Sequence, residues 1–173
     1  MKLLFEIDTK DYNPDGKAFV RPSVRSIIIK NGKVAMVHSL KYDYYKFPGG
    51  GIEKGESHEE ALIRETSEEA GLSVIPCTIT EYGYVHRIQK SHTSDDIFIQ
   101  DNYYYFCSTK QKIHSQNLDD YESEEHFTLE WIDPATAIEI NRKSDHGPKD
   151  KNMIEREAKV LECLIADKYL SAD

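Results

Sequence analysis

A glycine-rich loop that runs directly into a well-delimited helix constrains this fold more than any other feature of the sequence. Four of the nine glycines lie within residues 48–56, which predicts a loop whose backbone has unusual freedom. Ser57 and Glu60 have the spacing of a capping box, and Gly71 stands where a left-handed C-cap is expected. We therefore expect a helix over about 58–70.

Three carboxylates line one edge of this helix. At about 100° per residue, Glu65, Glu68 and Glu69 fall in one arc beside an apolar arc that packs inward. Like charges at this spacing destabilise a helix, and only Arg64 is available on that face to offset them. A solvated acidic face is the alternative interpretation. The adjoining glycine loop and the preference of Mg²⁺ or Mn²⁺ for hard oxygen ligands favour a divalent-metal site.

The spacing of these residues matches the Nudix signature, G-x5-E-x7-R-E-U-x-E-E-x-G-U, in which U is a bulky apolar residue. The matching positions are Gly50, Glu56, Arg64, Glu65, Glu68, Glu69, Gly71 and Leu72, and the departure is Thr66 at a U position. The lead-in Phe47-Pro48-Gly49-Gly50 is also similar to the family. The chain thus resembles the Nudix hydrolases, the MutT-like nucleotide pyrophosphohydrolases. This resemblance implies an α/β (α+β) fold, an α/β/α sandwich with a mixed central sheet.

The resemblance also implies an activity, namely hydrolysis of the P–O–P linkage in a nucleoside diphosphate joined to another moiety. A nucleoside triphosphate or a related nucleotide derivative is the expected substrate, with Mg²⁺ or Mn²⁺ as cofactor. Arg64 would orient the glutamates, and Glu56 would be a ligand or a hydrogen-bond partner of one. The family's metal-binding positions correspond here to Gly50, Glu56, Glu65, Glu68 and Glu69. A non-catalytic Nudix-fold module that senses a nucleotide or binds a partner is the alternative, although all the acids of the signature are present.

The reaction needs a carboxylate that accepts a proton from the attacking water. In some relatives this base belongs to the signature, and in others it comes from a downstream loop. The acidic loop at 119–125 supplies Glu124 or Glu125 as candidates, and Asp95 and Asp96 are the next choice. An ordinary exposed acidic loop is the alternative for each of them.

Aromatic and basic residues outside the signature are candidates for substrate contacts. Tyr44 and Phe47 could stack on a nucleobase, while Arg25 and Arg87, like Arg21 and Lys90, could neutralise phosphates. Packing within strands is the alternative for the aromatic residues. The downstream proline typical of ADP-ribose pyrophosphatases is not apparent in the sequence, which leaves nucleoside triphosphates open.

The rest of the chain predicts a single domain over residues 1–173, with strands before and after the signature helix. Residues 1–20 are expected to form an N-terminal extension or an edge strand, and Asn31-Gly32 predicts a hairpin over 23–38. Further strands are expected over 78–89, 97–108 and 127–132, a short helix after Pro134, and a helix over about 153–170 with Asn152 as its N-cap.

The net charge of −9 is concentrated in two segments. Residues 53–69 carry −5 and residues 119–130 carry −6, with no Lys or Arg in the second. This distribution argues against duplex nucleic acid as a partner, since binding to a duplex requires clustered Lys and Arg side chains. The three separated cysteines, and the absence of a signal peptide or a membrane-spanning apolar run, predict a cytoplasmic protein that does not contact membranes. A homodimer is compatible with these features of the sequence.

Overall fold

The computed structural model describes residues 1–91, 94, 96–113, 115–143 and 145–171. The strands in these ranges are β1 Leu3–Asp8, β2 Ala18–Val20, β3 Ser23–Ile27, β4 Ile29–Lys30, β5 Lys33–Ser39, β6 Tyr44–Lys46, β7 Leu72–Val74, β8 Thr80–Lys90, β9 Ile97–Phe106, β10 Thr109–Ile113 and β11 Phe127–Ile132. The helices are α1 His58–Ala70, α2 Asp120–Glu124, α3 Pro134–Asn141 and α4 Lys151–Ala166, and Pro76–Thr78 form a 3₁₀ turn.

Two larger sheets form the centre of the molecule. The mixed sheet has the order β1-β8-β9-β2, with β3 also paired to β9. In it β8 and β9 are antiparallel, and β1, β2 and β3 run parallel to their partners. The antiparallel sheet has the order β11-β5-β4, with β6 also paired to β5, and β10 pairs separately with β7. The expected α+β class with a mixed sheet is confirmed.

Helices cover the sheets on opposite sides. On one side Ala61 and Leu62 of α1 pack with Val24 of β3. On the other side α4 joins the main core, where Leu161 and Leu164 lie among side chains from both sheets. This packing fixes α1, and therefore the carboxylates on its edge, against β3.

The expected hairpin over 23–38 forms only at its tip. Asn31 and Gly32 adopt positive φ angles of 52° and 76°, as a type I′ turn requires, and β4 pairs with β5. The preceding strand β3 leaves this hairpin and runs parallel to β9 in the other sheet. Every residue of β3 is buried, which is typical of an inner strand that packs on both faces.

Helix α1 ends where the sequence predicts, but α4 begins earlier than expected. Asp150, not Asn152, is its N-cap, because the Asp150 carboxylate accepts hydrogen bonds from the backbone N–H groups of Asn152 (2.9 Å) and Met153 (3.3 Å). The helix also ends earlier, at Ala166, and the buried Leu170 packs back onto the core. In the described part of the chain, no helix combines the length and the apolar character that a bilayer crossing requires.

Candidate active site

Strand β3 and helix α1 hold the glycine-rich loop between them. The backbone N–H of Val24 donates to the Gly50 carbonyl (3.0 Å), and that of Ser26 donates to the Pro48 carbonyl (2.8 Å). Gly49 has a φ of 140°, and a Cβ there would collide with the Val24 carbonyl. A Cβ on Gly50 would collide with the Glu65 carboxylate. The loop therefore needs glycine at position 49 in order to lie against the strand, whereas a side chain at position 50 would displace the Glu65 carboxylate.

Arg64 is the hub of the acidic edge of α1. Its guanidinium forms two hydrogen bonds of 2.8 Å to Glu56, one of 2.7 Å to Glu65 and one of 3.2 Å to Glu68. It also donates to the Gly51 carbonyl (3.1 Å). The hydrogen bonds from Arg64 lower the pKa of Glu56 below its ordinary value. The structure thus brings three carboxylates of the sequence signature together around one cation, Arg64.

A polar cavity of about 260 Å³, here called the acidic cavity, opens beside this hub. Burial raises the pKa of Glu65, and the hydrogen bond from Arg64 opposes that shift. The lining residues are Arg21, Gly51, Ile52, Glu53, Arg64, Glu65, Glu68, Glu69, Asn117, Asp119 and Glu122.

Glu69 is positioned differently from Glu65 and Glu68. Its side chain is buried, and each of its carboxylate oxygens accepts a hydrogen bond. Oε1 accepts from Lys46 Nζ at 2.6 Å, and Oε2 accepts from the Gly49 backbone N–H at 2.9 Å. Glu69 therefore ties the end of β6 and the glycine loop to α1.

The donor chemistry of the acidic cavity suits a hard divalent cation. Glu65 and Glu68 supply carboxylate oxygens to its lining, which is almost wholly polar, and Glu56 binds Arg64 outside that lining. Within the described residues, however, no three side chains of the His, Cys, Asp or Glu type are already arranged as metal ligands, because Arg64 holds these carboxylates. The Gly50 carbonyl, an expected ligand, accepts the hydrogen bond from Val24.

The second acidic segment reaches the acidic cavity through residues that sequence reasoning missed. Asp119 and Glu122 line the cavity. Glu124 is exposed outside that lining, and Glu125 is buried away from it, where it accepts hydrogen bonds from Ser39, Tyr44 and Lys149. Glu122 therefore lies in the acidic cavity, whereas the candidate bases Glu124 and Glu125 do not. The signal that could have found it is a second capping box, since the Asp119 N–H donates to Glu122 at 3.0 Å.

Three of the expected substrate contacts lie in the interior instead. The Tyr44 hydroxyl donates to Glu125, and the fully buried Phe47 ring packs edge-on against Tyr104. Arg25 is buried and donates to the carbonyls of the glycine loop. These positions correct the expectation that Tyr44 and Phe47 stack on a nucleobase and that Arg25 neutralises a phosphate, because all three are occupied by packing or hydrogen bonding.

Arg87, the fourth candidate, lines a larger pocket of about 690 Å³, here called the aromatic pocket. Phe19 and Phe98 stack there with ring centroids 6.0 Å apart. Arg87 pairs with Asp150, burial lowers the pKa of the guanidinium, and Arg87 Nε is buried with no hydrogen-bond partner among the described residues. The lining residues are Lys17, Ala18, Phe19, Arg21, Arg87, Ser91, Ser94, Asp96, Phe98, Gln100, Asp150 and Met153.

Arg21 lines both the acidic cavity and the aromatic pocket, so the two adjoin. Among the remaining candidates, Asp96 lies in the aromatic pocket, and Asp95 lies outside the described residues. The structure therefore brings four residues of the signature, Arg64, Glu65, Glu68 and Glu69, to one continuous surface with Arg87. The candidates that lie outside the linings of both cavities are Gly50, Glu56, Arg25, Tyr44, Phe47, Glu124 and Glu125.

Known proteins resemble this chain in sequence over part of their length. The RNA pyrophosphohydrolase of Ectopseudomonas mendocina is 36% identical over 81 residues, which is 42% of this chain and 51% of that protein. The RNA pyrophosphohydrolase of Pseudomonas fluorescens (strain SBW25) is 34% identical over 89 residues, 47% of this chain and 54% of that protein. The chain thus spans about half the length of these relatives.

Solved structures share the fold. A structure from work on MutT of Aliivibrio salmonicida and Vibrio cholerae matches with a TM-score of 0.55 at 18% identity, over 86% of this chain and 99% of that one. The solution structure of the E. coli ORF135 protein matches with a TM-score of 0.51 at 21% identity, over 93% of this chain and 100% of that one.

A family model matches most of the chain, from residue 20 to residue 156, and it is the model of the NUDIX domain. Its range includes the glycine loop, the Arg64 hub and both acidic segments. The resemblance carried by the sequence signature is confirmed: this chain belongs to the Nudix family.

Proposed function

We propose that this chain hydrolyses the P–O–P linkage of a nucleoside triphosphate or a related nucleotide derivative, with Mg²⁺ or Mn²⁺ as cofactor. The observation that carries the proposal is the contact of the acidic cavity with the aromatic pocket at Arg21. A nucleotide has the same two parts, a polyphosphate that needs cations and a flat base that stacks on aromatic rings. Such a ligand fits a path from Glu65 and Glu68, past Arg21, to Phe19 and Phe98.

Each residue on that path has a role that follows from its surroundings. Glu65 and Glu68 would hold the divalent ion, which when bound offsets the negative charge of the phosphoryl oxygens. Arg21 would neutralise a phosphate between the two cavities, and Arg64 keeps the carboxylates oriented. Glu122 would accept the proton of the attacking water, since burial and the neighbouring Glu69 raise its pKa toward the range where a base is most efficient.

Two substrate classes fit this path, namely free nucleotides and the 5′ end of RNA. The two relatives described above are named RNA pyrophosphohydrolases, but the chain spans only about half of each. Its net charge of −9 disfavours extended contact with an RNA backbone, so we propose the free nucleotide. The three free cysteines suit a reducing compartment, and the proposal places the reaction in the cytoplasm.

The test is a hydrolysis assay with a defined panel of substrates. The purified chain is incubated with Mg²⁺ and nucleoside triphosphates, ADP-ribose, dinucleoside polyphosphates, nucleotide sugars and a 5′-triphosphorylated RNA, and the products are identified. We expect turnover of at least one nucleoside triphosphate and a loss of at least about 100-fold in Glu68→Gln. Glu59→Gln is the matched control, because Glu59 is exposed on the same helix and lies outside the acidic cavity.

The alternative, a non-catalytic nucleotide-binding module, gives a different result in the same assay. Such a module would bind members of the panel without turning them over, and Glu68→Gln would change nothing in the products. Turnover that is equal in the wild type and in Glu68→Gln would also reject the proposed metal role of that residue.

A further inference from the structure

A buried lysine contacts two of the carboxylates that line the acidic cavity, next to the last turn of α1. Lys46 is 6% exposed, and its Nζ lies 2.6 Å from Glu69 Oε1 and 3.8 Å from Glu122 Oε1. The same ammonium group lies 4.5 Å from the centroid of the Phe127 ring. Lys46 therefore contacts two carboxylates and an aromatic face while almost excluded from water.

Because Glu69 and Glu122 are buried, a metal ion cannot easily replace Lys46 beside them. Glu69 is 2% exposed and Glu122 is 4% exposed, so each carboxylate needs a nearby cation or donor in order to stay ionised. Lys46 supplies that cation on β6, and the Gly49 N–H takes the remaining oxygen of Glu69. Displacing Lys46 would leave a buried ammonium group without its carboxylate partner.

The Arg64 hub differs from the Lys46–Glu69 pair in its exposure to water and in its number of carboxylate partners. The side chain of Arg64 is 27% exposed and that of Glu68 is 37% exposed, so water and ions can reach them. Arg64 is also shared among three carboxylates, so that one of them can leave it for a metal ion while the others keep it paired.

We propose that Lys46 is the resident cation of the inner end of the acidic cavity. Glu69 is then a positioning residue that holds the glycine loop, and divalent ions load only at the Glu65–Glu68 end. This inference deepens the proposed function and rests on it, since it concerns where the ions of that reaction bind.

The experiment measures Mn²⁺ binding by electron paramagnetic resonance on the full chain without substrate, so its readout does not depend on hydrolysis. The decisive variant is Lys46→Met/Glu69→Gln, which removes both charges of the 2.6 Å pair, while Glu122 keeps its hydrogen bonds from the Asp119 N–H and the Tyr121 hydroxyl. We expect its Mn²⁺ affinity to stay within about threefold of the wild type. In Glu68→Gln, by contrast, the affinity falls by at least about tenfold.

A second variant tests the assignment of Lys46 by removing the lysine and keeping Glu69. In Lys46→Met alone, Glu69 and Glu122 lose their cation, and we expect one additional Mn²⁺ per chain. Lys46→Arg, which keeps the charge, should retain the wild-type number. Circular dichroism checks the fold of every variant.

The outcomes separate the two proposals. If the double variant loses Mn²⁺ affinity as far as Glu68→Gln does, Glu69 is a metal ligand and the assignment of Lys46 is overturned, while the proposed function stands. An unchanged Mn²⁺ number in Lys46→Met also overturns it. If the wild type neither binds Mn²⁺ nor hydrolyses the substrate panel, both proposals fail together.

Discussion

The two acidic segments of this chain meet at one cavity but neutralise their charge in different ways. Residues 53–69 contain their own counter-ion, because Arg64 binds Glu56, Glu65 and Glu68 within the segment. Residues 119–130 contain no Lys or Arg and take their cations from distant parts of the chain. Glu122 lies near Lys46 of β6, and Glu125 pairs with Lys149 in the segment before α4.

This difference in counter-ions distinguishes carboxylates that can bind a ligand from carboxylates that stabilise the fold. Carboxylates around the partly exposed Arg64 can exchange partners with an incoming ion. The buried Glu125, by contrast, is paired with Lys149 and accepts hydrogen bonds from Ser39 and Tyr44, so it stabilises the positions of the elements that carry these residues. An acidic segment is therefore not functional as a whole. In the second segment we assign chemistry to Glu122 and structure to Glu125.

The largest expected effect on kcat comes from replacing Glu122, with the replacement of Glu125 as its comparison. Glu122→Gln should lower kcat by about 100-fold or more, because the proposed proton acceptor is lost. Glu125→Gln should leave kcat within about threefold, yet lower the free energy of unfolding by about 1–3 kcal/mol, since Lys149 would be left unpaired. Steady-state kinetics and denaturant unfolding of both variants check this pair. A loss of activity in Glu125→Gln alone would reverse the assignment.

Arg64→Gln should have the next largest effect. It removes the counter-ion of Glu56, Glu65 and Glu68, so we expect kcat/KM to fall by about 10- to 100-fold and the free energy of unfolding to fall by about 1–3 kcal/mol. The matched control is Arg142→Gln, because Arg142 also joins two glutamates, Glu155 and Glu162, but lies outside both substrate cavities. Equal activity in the two variants would show that the Arg64 hub does not organise the site.

Local patterns made the first segment predictable. The capping box at Ser57 and the C-cap at Gly71 act within one turn of the helix, and α1 has the predicted ends. The family and the mixed sheet also followed from the spacing of a single segment. Such signals are local because each contact joins residues a few positions apart.

The contacts that sequence analysis missed join distant residues. Nothing near Val24 in the sequence indicates that β3 pairs with β9, and nothing near Glu125 indicates Lys149. The short strands β6, β7 and β10 were also not predicted, since elements of three to five residues form through pairing and not through their own propensity. Which acid of a segment faces the cavity depends on these tertiary contacts.

The two capping boxes give a smaller test of the same contrast. Ser57 and Glu60 form an exposed box, whereas the box of Asp119 places Glu122 in the acidic cavity. Ser57→Ala should cost about 1 kcal/mol of unfolding free energy, with kcat unchanged within about twofold because the residue lies outside the cavity. Ser57→Asp keeps an acceptor and should retain most of the stability. A large fall in kcat for Ser57→Ala would place the helix start in the catalytic machinery.

The smallest expected effect concerns Arg142, which pairs with Glu155 and Glu162 where all three side chains are 37–47% exposed. Because solvent screens such pairs, Arg142→Gln should lower the free energy of unfolding by less than about 1 kcal/mol. The hydrogen bond from Arg142 lowers the pKa of Glu162 in the folded chain. The contribution of this pair is therefore present above the unfolded carboxyl pKa of about 4.3 and is lost as the pH falls through the lowered folded value. Denaturant unfolding at neutral and acidic pH should show the wild type and Arg142→Gln converging in stability as the pH falls. A difference that persists at low pH would mean that packing of the long arginine stem, and not its charge, makes the contribution.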